Sequence, residues 1–152
     1  MSSKIFLFKF VTLGILGSHI VLVFAYNLNE TGGLMDVEST MLALGTKMPM
    51  FNLLGIDEKN YTNEMFDNKK GALVMFICNH CPFVKHVNEE IVNLSNEIMG
   101  QDIGVIGINS NDSSQEKYAE DSIDKMREYS DALGYEFPYV VDEDQSVAKN
   151  FT

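Results

Sequence analysis

Positive charge is scarce in this sequence. Its 152 residues include 11 Lys and Arg against 22 Asp and Glu, which gives a formal net charge of -11. Such a chain repels the phosphates of nucleic acids and anionic membrane surfaces, so neither is an expected partner. The sequence also lacks internal repeats and low-complexity tracts. Its length allows one domain with a modest core, and a second domain does not fit.

Cysteine is equally scarce, since Cys78 and Cys81 are the only two. They lie in the motif Cys78-Asn79-His80-Cys81-Pro82, directly after the apolar run from Ala72 to Ile77. A Cys-x-x-Cys placed where a buried strand meets a helix N-terminus is typical of a redox couple. The motif therefore predicts a pair of redox-active thiols.

Other roles for the two cysteines stay open at this point. They could form a structural disulfide or remain two inert buried thiols. With His80 or His86 they could also bind zinc or copper, as in a metal-binding or metallochaperone module. Haem attachment is excluded because Pro82, and not histidine, follows the second cysteine.

The N-terminal residues differ from the rest of the chain. Lys4 and Lys9 precede an uncharged apolar run from Phe10 to Ala25, which ends in a small-x-small pattern. This predicts a secretory signal peptide over residues 1–25, cleaved near Ala25. The run is shorter than the roughly 20 residues that span a bilayer, and an uncleaved membrane anchor is the alternative. Export would place the cysteines in a secreted or periplasmic, oxidising environment.

Residues 26–42 are polar and contain glycine, which predicts a linker, and residues 43–152 carry the pattern of one α/β domain. Continuous apolar runs at Ala72–Ile77 and Ile103–Ile108 predict strands covered on both faces. Apolar residues three and four apart predict one helix from Pro82 to Met99 between them. Strand, helix and strand then form a right-handed unit with parallel strands. The predicted helix stripe is Val84, Val87, Ile91, Leu94 and Ile98.

Weaker patterns flank this unit. Residues 51–54 and 61–62 predict two short strands around a turn. Phe137–Val141 predicts a further strand, in which Pro138 indicates a strand start or a sheet edge. Residues 142–151 predict the beginning of a short helix.

A second helix is predicted from Ile123 to Leu133. Asp121 or Ser122 is its expected cap, and Gly134 its expected end. The polar loop Asn109–Asp112 follows a parallel strand at the edge where α/β proteins bind ligands, but it is interpreted as a turn.

These motifs together resemble the thioredoxin-like superfamily in its AhpC/TSA, or redoxin, branch. Within that branch they are similar to peroxiredoxin-like proteins with a Cys-Asn-His-Cys-Pro motif. The resemblance extends from about Leu44 to Phe151 and rests on four segments: Leu44–Pro49, Met75–Lys85, Gly107–Asp112 and Phe137–Tyr139. It implies a thioredoxin-like fold with a central mixed sheet flanked by helices. In that family a cis-proline loop, two antiparallel strands and a helix follow, so the resemblance implies a domain without its C-terminal strands.

The predicted activity is thiol-disulfide exchange. Cys78 is the expected nucleophile and Cys81 the resolving cysteine, while the helix start and His80 are expected to lower the pKa of Cys78. A histidine before the second cysteine resembles the disulfide-oxidase pattern, in which the pKa of the thiol is about 3.5 to 7. Protein or small-molecule thiols and disulfides are the expected partners, and no cofactor is expected. The direction of electron flow and the oligomeric state stay open.

A thiol-dependent peroxidase is the alternative that the family resemblance suggests. Peroxiredoxins resemble one another in a Pro-x-x-x-Thr-x-x-Cys pattern. Counting back from Cys81 places Cys78 and Val74 at the Thr and Pro positions, and counting from Cys78 places Met75 and Gly71 there. Neither cysteine therefore has the peroxidatic pattern. Two further polar side chains near the motif, His86 and Lys85, are interpreted as surface groups.

Overall fold

A computed structural model describes Val21–Leu22 and residues 45–151 of the chain. Apart from that dipeptide, the predicted signal segment and the predicted linker lie outside the described residues. The strands are β1 (Val21–Leu22), β2 (Asn52–Gly55), β3 (Asn60–Thr62), β4 (Gly71–Phe76), β5 (Ile103–Asn109) and β6 (Tyr139–Val141). The α-helices are α1 (Pro82–His86), α2 (Asn88–Met99), α3 (Ile123–Leu133) and α4 (Ser146–Asn150), and 3-10 helices cover Asn63–Phe66 and Glu116–Asp121.

The six strands form one mixed sheet in the order β1-β4-β5-β6-β2-β3. β1, β4, β5 and β6 run parallel to one another, and Phe76 of β4 lies opposite Ile108 of β5. β2 and β3 form an antiparallel hairpin that joins the sheet at β6. The predicted α/β class and the parallel pairing of the two apolar strands are confirmed.

Both faces of the sheet are covered, because the side chains of β4 alternate between two apolar clusters. One cluster, with α4 and the 3-10 helix at Asn63–Phe66, contains Ala72, Val74, Ile106, Ile108 and Phe151 among others. The other cluster, beneath α1, α2 and α3, contains Leu73, Met75, Ile77, Val105 and Met126 among others. Continuous apolar runs are the expected sequence of such doubly covered parallel strands.

The helix predicted from Pro82 to Met99 is interrupted at Val87. That residue has φ -111° and ψ 14°, and its amide donates to the Val84 carbonyl, three residues back, at 3.1 Å. Beyond the break, the buried side of α2 presents Asn88 and Ser95, whereas Leu94 of the predicted stripe is 44% exposed. Asn88 turns inward because its amide bonds to the Tyr129 and Tyr135 hydroxyls.

Two further predictions are settled by the position of β6. Pro138 directly precedes this strand, so it marks a strand start as predicted. The alternative of an edge strand is wrong, because β6 lies between β5 and β2. In the described part of the chain, no helix has the length and apolar character needed to cross a membrane.

Candidate active site

The two cysteines occupy the corner between β4 and α1. The amide of Ile77 still donates to the Ile108 carbonyl at 3.0 Å, so Cys78 is the first residue to leave the sheet. Cys81 precedes the first residue of α1, and its carbonyl accepts from the Lys85 amide at 3.0 Å. Cys78 is half-buried and Cys81 is 3% exposed, and no disulfide joins them. Of the two cysteines at this corner, Cys78 is thus the more exposed.

A buried carboxylate, Asp121, lies beneath this corner. It is 1% exposed and comes from the end of the 3-10 helix that precedes α3. Its Oδ1 accepts from the Asn79 amide at 2.7 Å, and its Oδ2 accepts from Asn111 Nδ2 at 3.0 Å. His80 Nδ1 lies 2.6 Å from the same Oδ2. Three donors therefore compensate the cost of burying this carboxylate.

A second layer of bonds fixes the loop from below. The Tyr139 hydroxyl, buried on β6, donates toward Asn79 Oδ1 at 3.2 Å and accepts from Asn109 Nδ2 at 3.4 Å. Asn109 Oδ1 in turn accepts from the Asn111 amide at 3.1 Å. The segments after β4 and β5 are thus tied together through side chains, as expected where parallel strands end at one edge of a sheet.

The environment of the Cys78 thiol opposes ionisation. Burial and, next, the Asp121 carboxylate raise the pKa of Cys78 from 9.0 to about 12, although hydrogen bonds from the Cys81 amide and the Asn111 side chain act in the opposite direction. The predicted low pKa is therefore wrong. The helix start that was expected to lower it belongs to α1, which is five residues long and begins four residues after Cys78.

His80 lies beside the thiol, as the motif suggested. Its side chain is 25% exposed, and its ring lies against Tyr118 with the ring centres 5.2 Å apart. The Cys78 sulfur, a ring nitrogen of His80 and a carboxylate oxygen of Asp121 all lie within 4.8 Å of one another. The bond to Asp121 occupies Nδ1 of His80, so Nε2 is the ring nitrogen left to bind a proton or a cation.

The residues proposed from the motif are brought together, but sequence reasoning missed their main partner. The sequence predicts Asp121 or Ser122 as the cap of α3. Ser122 takes the cap position without a side-chain bond, and the Asp121 carboxylate turns back toward the motif. The sequence predicts only a turn at Asn111. The available signal was its place in a polar loop at the carboxyl end of a parallel strand. His86 is exposed at the end of α1, consistent with a surface group.

Comparison with known proteins adds the family. The sequence pattern of the AhpC/TSA family matches residues 44–152. This chain belongs to the AhpC/TSA family. No curated protein matches the sequence.

Two crystal structures are similar to this AhpC/TSA protein in sequence and fold. An uncharacterized conserved protein from Geobacillus kaustophilus is 44% identical with a TM-score of 0.71, over 78% of this chain and 62% of that one. A hypothetical protein from Sinorhizobium meliloti 1021 is 34% identical with a TM-score of 0.68, over 72% of this chain and 59% of that one. The chain thus spans less than two thirds of the length of either protein.

A more distant likeness defines the fold. The solution structure of a protein assigned as a thioredoxin, from Neisseria meningitidis, is 22% identical with a TM-score of 0.55, over 68% of this chain and 63% of that one. At this identity the likeness concerns the fold alone. The predicted thioredoxin-like fold, with a mixed sheet flanked by helices, is confirmed.

Proposed function

We propose that this protein is a thiol-disulfide oxidoreductase that acts through Cys78 and Cys81. The observation that supports this most directly is the unequal exposure of the two thiols. Cys78 is half-buried at the end of β4, while Cys81 is 3% exposed at the start of α1. A substrate disulfide can approach the first sulfur directly, and the second is protected until the first has reacted. Protein or small-molecule disulfides are the proposed substrates.

The exchange follows from this order of access. The Cys78 sulfur loses its proton and attacks one sulfur of the substrate disulfide, which gives a mixed disulfide and one substrate thiolate that takes up a proton. The Cys81 sulfur, deprotonated in turn, attacks the Cys78 sulfur and releases the second substrate thiol. Two electrons have then passed to the substrate, and a Cys78–Cys81 disulfide remains. The same steps in reverse oxidise a dithiol.

A peroxidase finds less support at this site. The positions that would carry the threonine and proline of a peroxidatic pattern are Cys78 and Val74 for one cysteine, and Met75 and Gly71 for the other. Val74 is 0% and Met75 4% exposed inside β4, and neither has a hydroxyl that could orient a peroxide. Peroxide consumption with a dithiol donor would distinguish this alternative from disulfide exchange.

The proposed order of attack predicts different outcomes for the two cysteine variants. Cys78→Ser should abolish the reduction of insulin disulfides, because no nucleophile remains within reach. Cys81→Ser should accumulate a mixed disulfide with the substrate, because the resolving sulfur is absent. Mass spectrometry after quenching with acid measures the trapped species. Trapping by Cys78→Ser in place of Cys81→Ser would reverse the assignment, and trapping by neither would refute the proposal.

Export of the protein remains a prediction. Residues 1–25 are proposed to be the signal peptide, and a secreted or periplasmic location follows from them if the segment directs export. The oxidising surroundings would then supply the disulfide substrates on which this site is proposed to act.

A further inference from the structure

We propose that His80 and Asp121 form a proton relay for Cys78, with His80 as the base and Asp121 as the residue that positions it. This inference rests on the proposed thiol-disulfide exchange, whose nucleophilic step it describes. It assigns a role to a carboxylate that lies 41 residues away from His80 in the chain.

The relay is built from three side chains in mutual reach. The Cys78 sulfur, a ring nitrogen of His80 and a carboxylate oxygen of Asp121 lie within 4.8 Å of one another. One water molecule can bridge a gap of this size, or the distance between the groups can shorten when substrate binds. Nucleophile, base and an orienting carboxylate in that order are the parts that activate cysteine and serine nucleophiles on unrelated folds.

The bond between His80 and Asp121 defines which nitrogen can move a proton. A carboxylate only accepts hydrogen bonds, so His80 Nδ1, at 2.6 Å from Asp121 Oδ2, must carry a hydrogen. Nε2 is then the ring nitrogen left to accept a proton in the proposed relay.

Asp121 is held in place independently of the histidine. Its Oδ1 accepts from the Asn79 amide at 2.7 Å, and Asn111 Nδ2 donates to its Oδ2 at 3.0 Å. Asn111 also donates to the Cys78 sulfur. The carboxylate thus sits in a fixed frame of donors shared with the thiol, which is the arrangement that a positioning residue requires.

The thiol needs a base at neutral pH. Burial and the nearby carboxylate raise the pKa of Cys78 to about 12, so the sulfur keeps its proton until another group takes it. The groups that face it are Cys81 directly before α1, Asp121, Tyr129 on α3 and Tyr139 on β6, with Tyr118 against His80. Burial raises the pKa of Tyr129 and Tyr139, so neither phenol serves as a base. Imidazole is the side chain suited to exchange a proton near neutrality.

The step balances without an external reagent. As the Cys78 sulfur forms its bond to the substrate sulfur, its proton passes to His80 Nε2. The substrate S–S bond breaks, and the leaving thiolate receives that proton from the imidazolium. Asp121 keeps its hydrogen bond to Nδ1 throughout, so the histidine ends as it began.

Alkylation of reduced Cys78 by iodoacetamide tests the relay. All variants carry Cys81→Ser as a common background, and the alkylation rate is measured at a series of pH values. His80→Gln can still donate a hydrogen bond to Asp121 but cannot take a proton, and it should slow alkylation at neutral pH by about 100-fold. Asp121→Asn should also slow it and change the pH profile. The exposed His86 provides the matched control, and His86→Gln should retain the rate and profile of the background.

The sign of the Asp121→Asn effect decides between two roles. A carboxylate that acts only as a negative charge beside the thiol would, when removed, make Cys78 react faster and at lower pH, and that result overturns the relay. An unchanged profile in His80→Gln overturns it as well. If circular dichroism shows Asp121→Asn to be unfolded, His80→Gln, at a side chain that is 25% exposed, decides alone. Alkylation involves no disulfide, so this test keeps its meaning even if insulin reduction fails.

Discussion

The Cys78 thiol combines access to solvent with an environment that disfavours its charged form. Such a balance affects the thermodynamics of the couple as well as its kinetics. Strongly oxidising thiol pairs owe their potential to a stabilised thiolate in the reduced state. Here burial and Asp121 raise the pKa of Cys78, so that stabilisation is absent. This environment therefore favours reduction of a substrate disulfide by the proposed couple.

A redox titration against glutathione measures this direction. Because the reduced pair keeps its protons, we expect a potential near the thioredoxin value of about -270 mV, far from the value of about -120 mV found for strong oxidants. A wild-type value close to that of the strong oxidants would contradict the argument from the thiol environment.

Site residues could be predicted from the sequence only where they lie close to the cysteine motif along the chain. Cys78, His80 and Cys81 could be proposed because they share one short motif after a buried strand. Asp121 could not, because its link to the motif exists only once the 3-10 helix at Glu116–Asp121 is placed below the corner. Its local pattern, an acidic residue before a helix, is that of an ordinary cap.

Among the elements, β5 lies between β4 and β6, and the loop that carries Asn111 follows it. β5 is packed closely against its neighbours. At Gly104 the ring of Phe66, which is 1% exposed, occupies the space above the backbone. A Cβ atom at this position would lie 2.4 Å from Phe66 Cδ1. Since Phe66 ends the 3-10 helix at Asn63–Phe66, contact with β5 positions that helix.

Gly104→Ala should therefore destabilise the fold through overpacking. We expect the free energy of unfolding in urea to fall by about 1 to 3 kcal/mol, because the Phe66 ring must shift within a close-packed core. Gly100→Ala is the matched control: its nearest neighbour would be the Glu97 carbonyl at 3.3 Å, and its φ is an ordinary -62°. That change should stay within about 0.5 kcal/mol. Equal effects of the two substitutions would show that Phe66 moves without cost.

The elements themselves were largely predictable where their period was strong. The apolar runs of β4 and β5 are bounded by turns, so each predicts a buried strand. Because one helix connects the two strands, their parallel pairing could also be predicted. The break at Val87 was not predictable, because apolar spacing continues through it. Directly after the break, Asn88 bonds to the hydroxyls of Tyr129 and Tyr135, which lie more than 40 positions away along the chain.

At the scale of the whole molecule, several ionisable groups are buried or half-buried in their neutral forms. Burial raises the pKa of Tyr129, Tyr135 and Tyr139 above the ordinary value of 10.0, and that of Cys78 above 9.0. Each group holds its proton more tightly in the folded state than in the unfolded state. In alkaline solution the unfolded chain releases these protons first, so the free energy of unfolding falls as pH rises.

For Cys78 this loss should begin near its unfolded pKa of 9.0 and continue toward its folded pKa of about 12. Urea denaturation of the reduced protein at a series of pH values measures the decline, and Cys78→Ser provides the comparison because its hydroxyl does not ionise in that range. The rising negative charge of the chain acts on both proteins alike and cancels in their difference. Each unit of difference between the folded and unfolded pKa corresponds to about 1.4 kcal/mol of stability. Cys78 is partly exposed, so solvent screens this effect. We therefore expect the free energy of unfolding of the wild type to fall by about 1 to 2 kcal/mol more than that of the variant. Parallel curves for the two proteins would mean that the thiol ionises as easily in the folded state as in the unfolded state, which would also remove the reason for a base at His80.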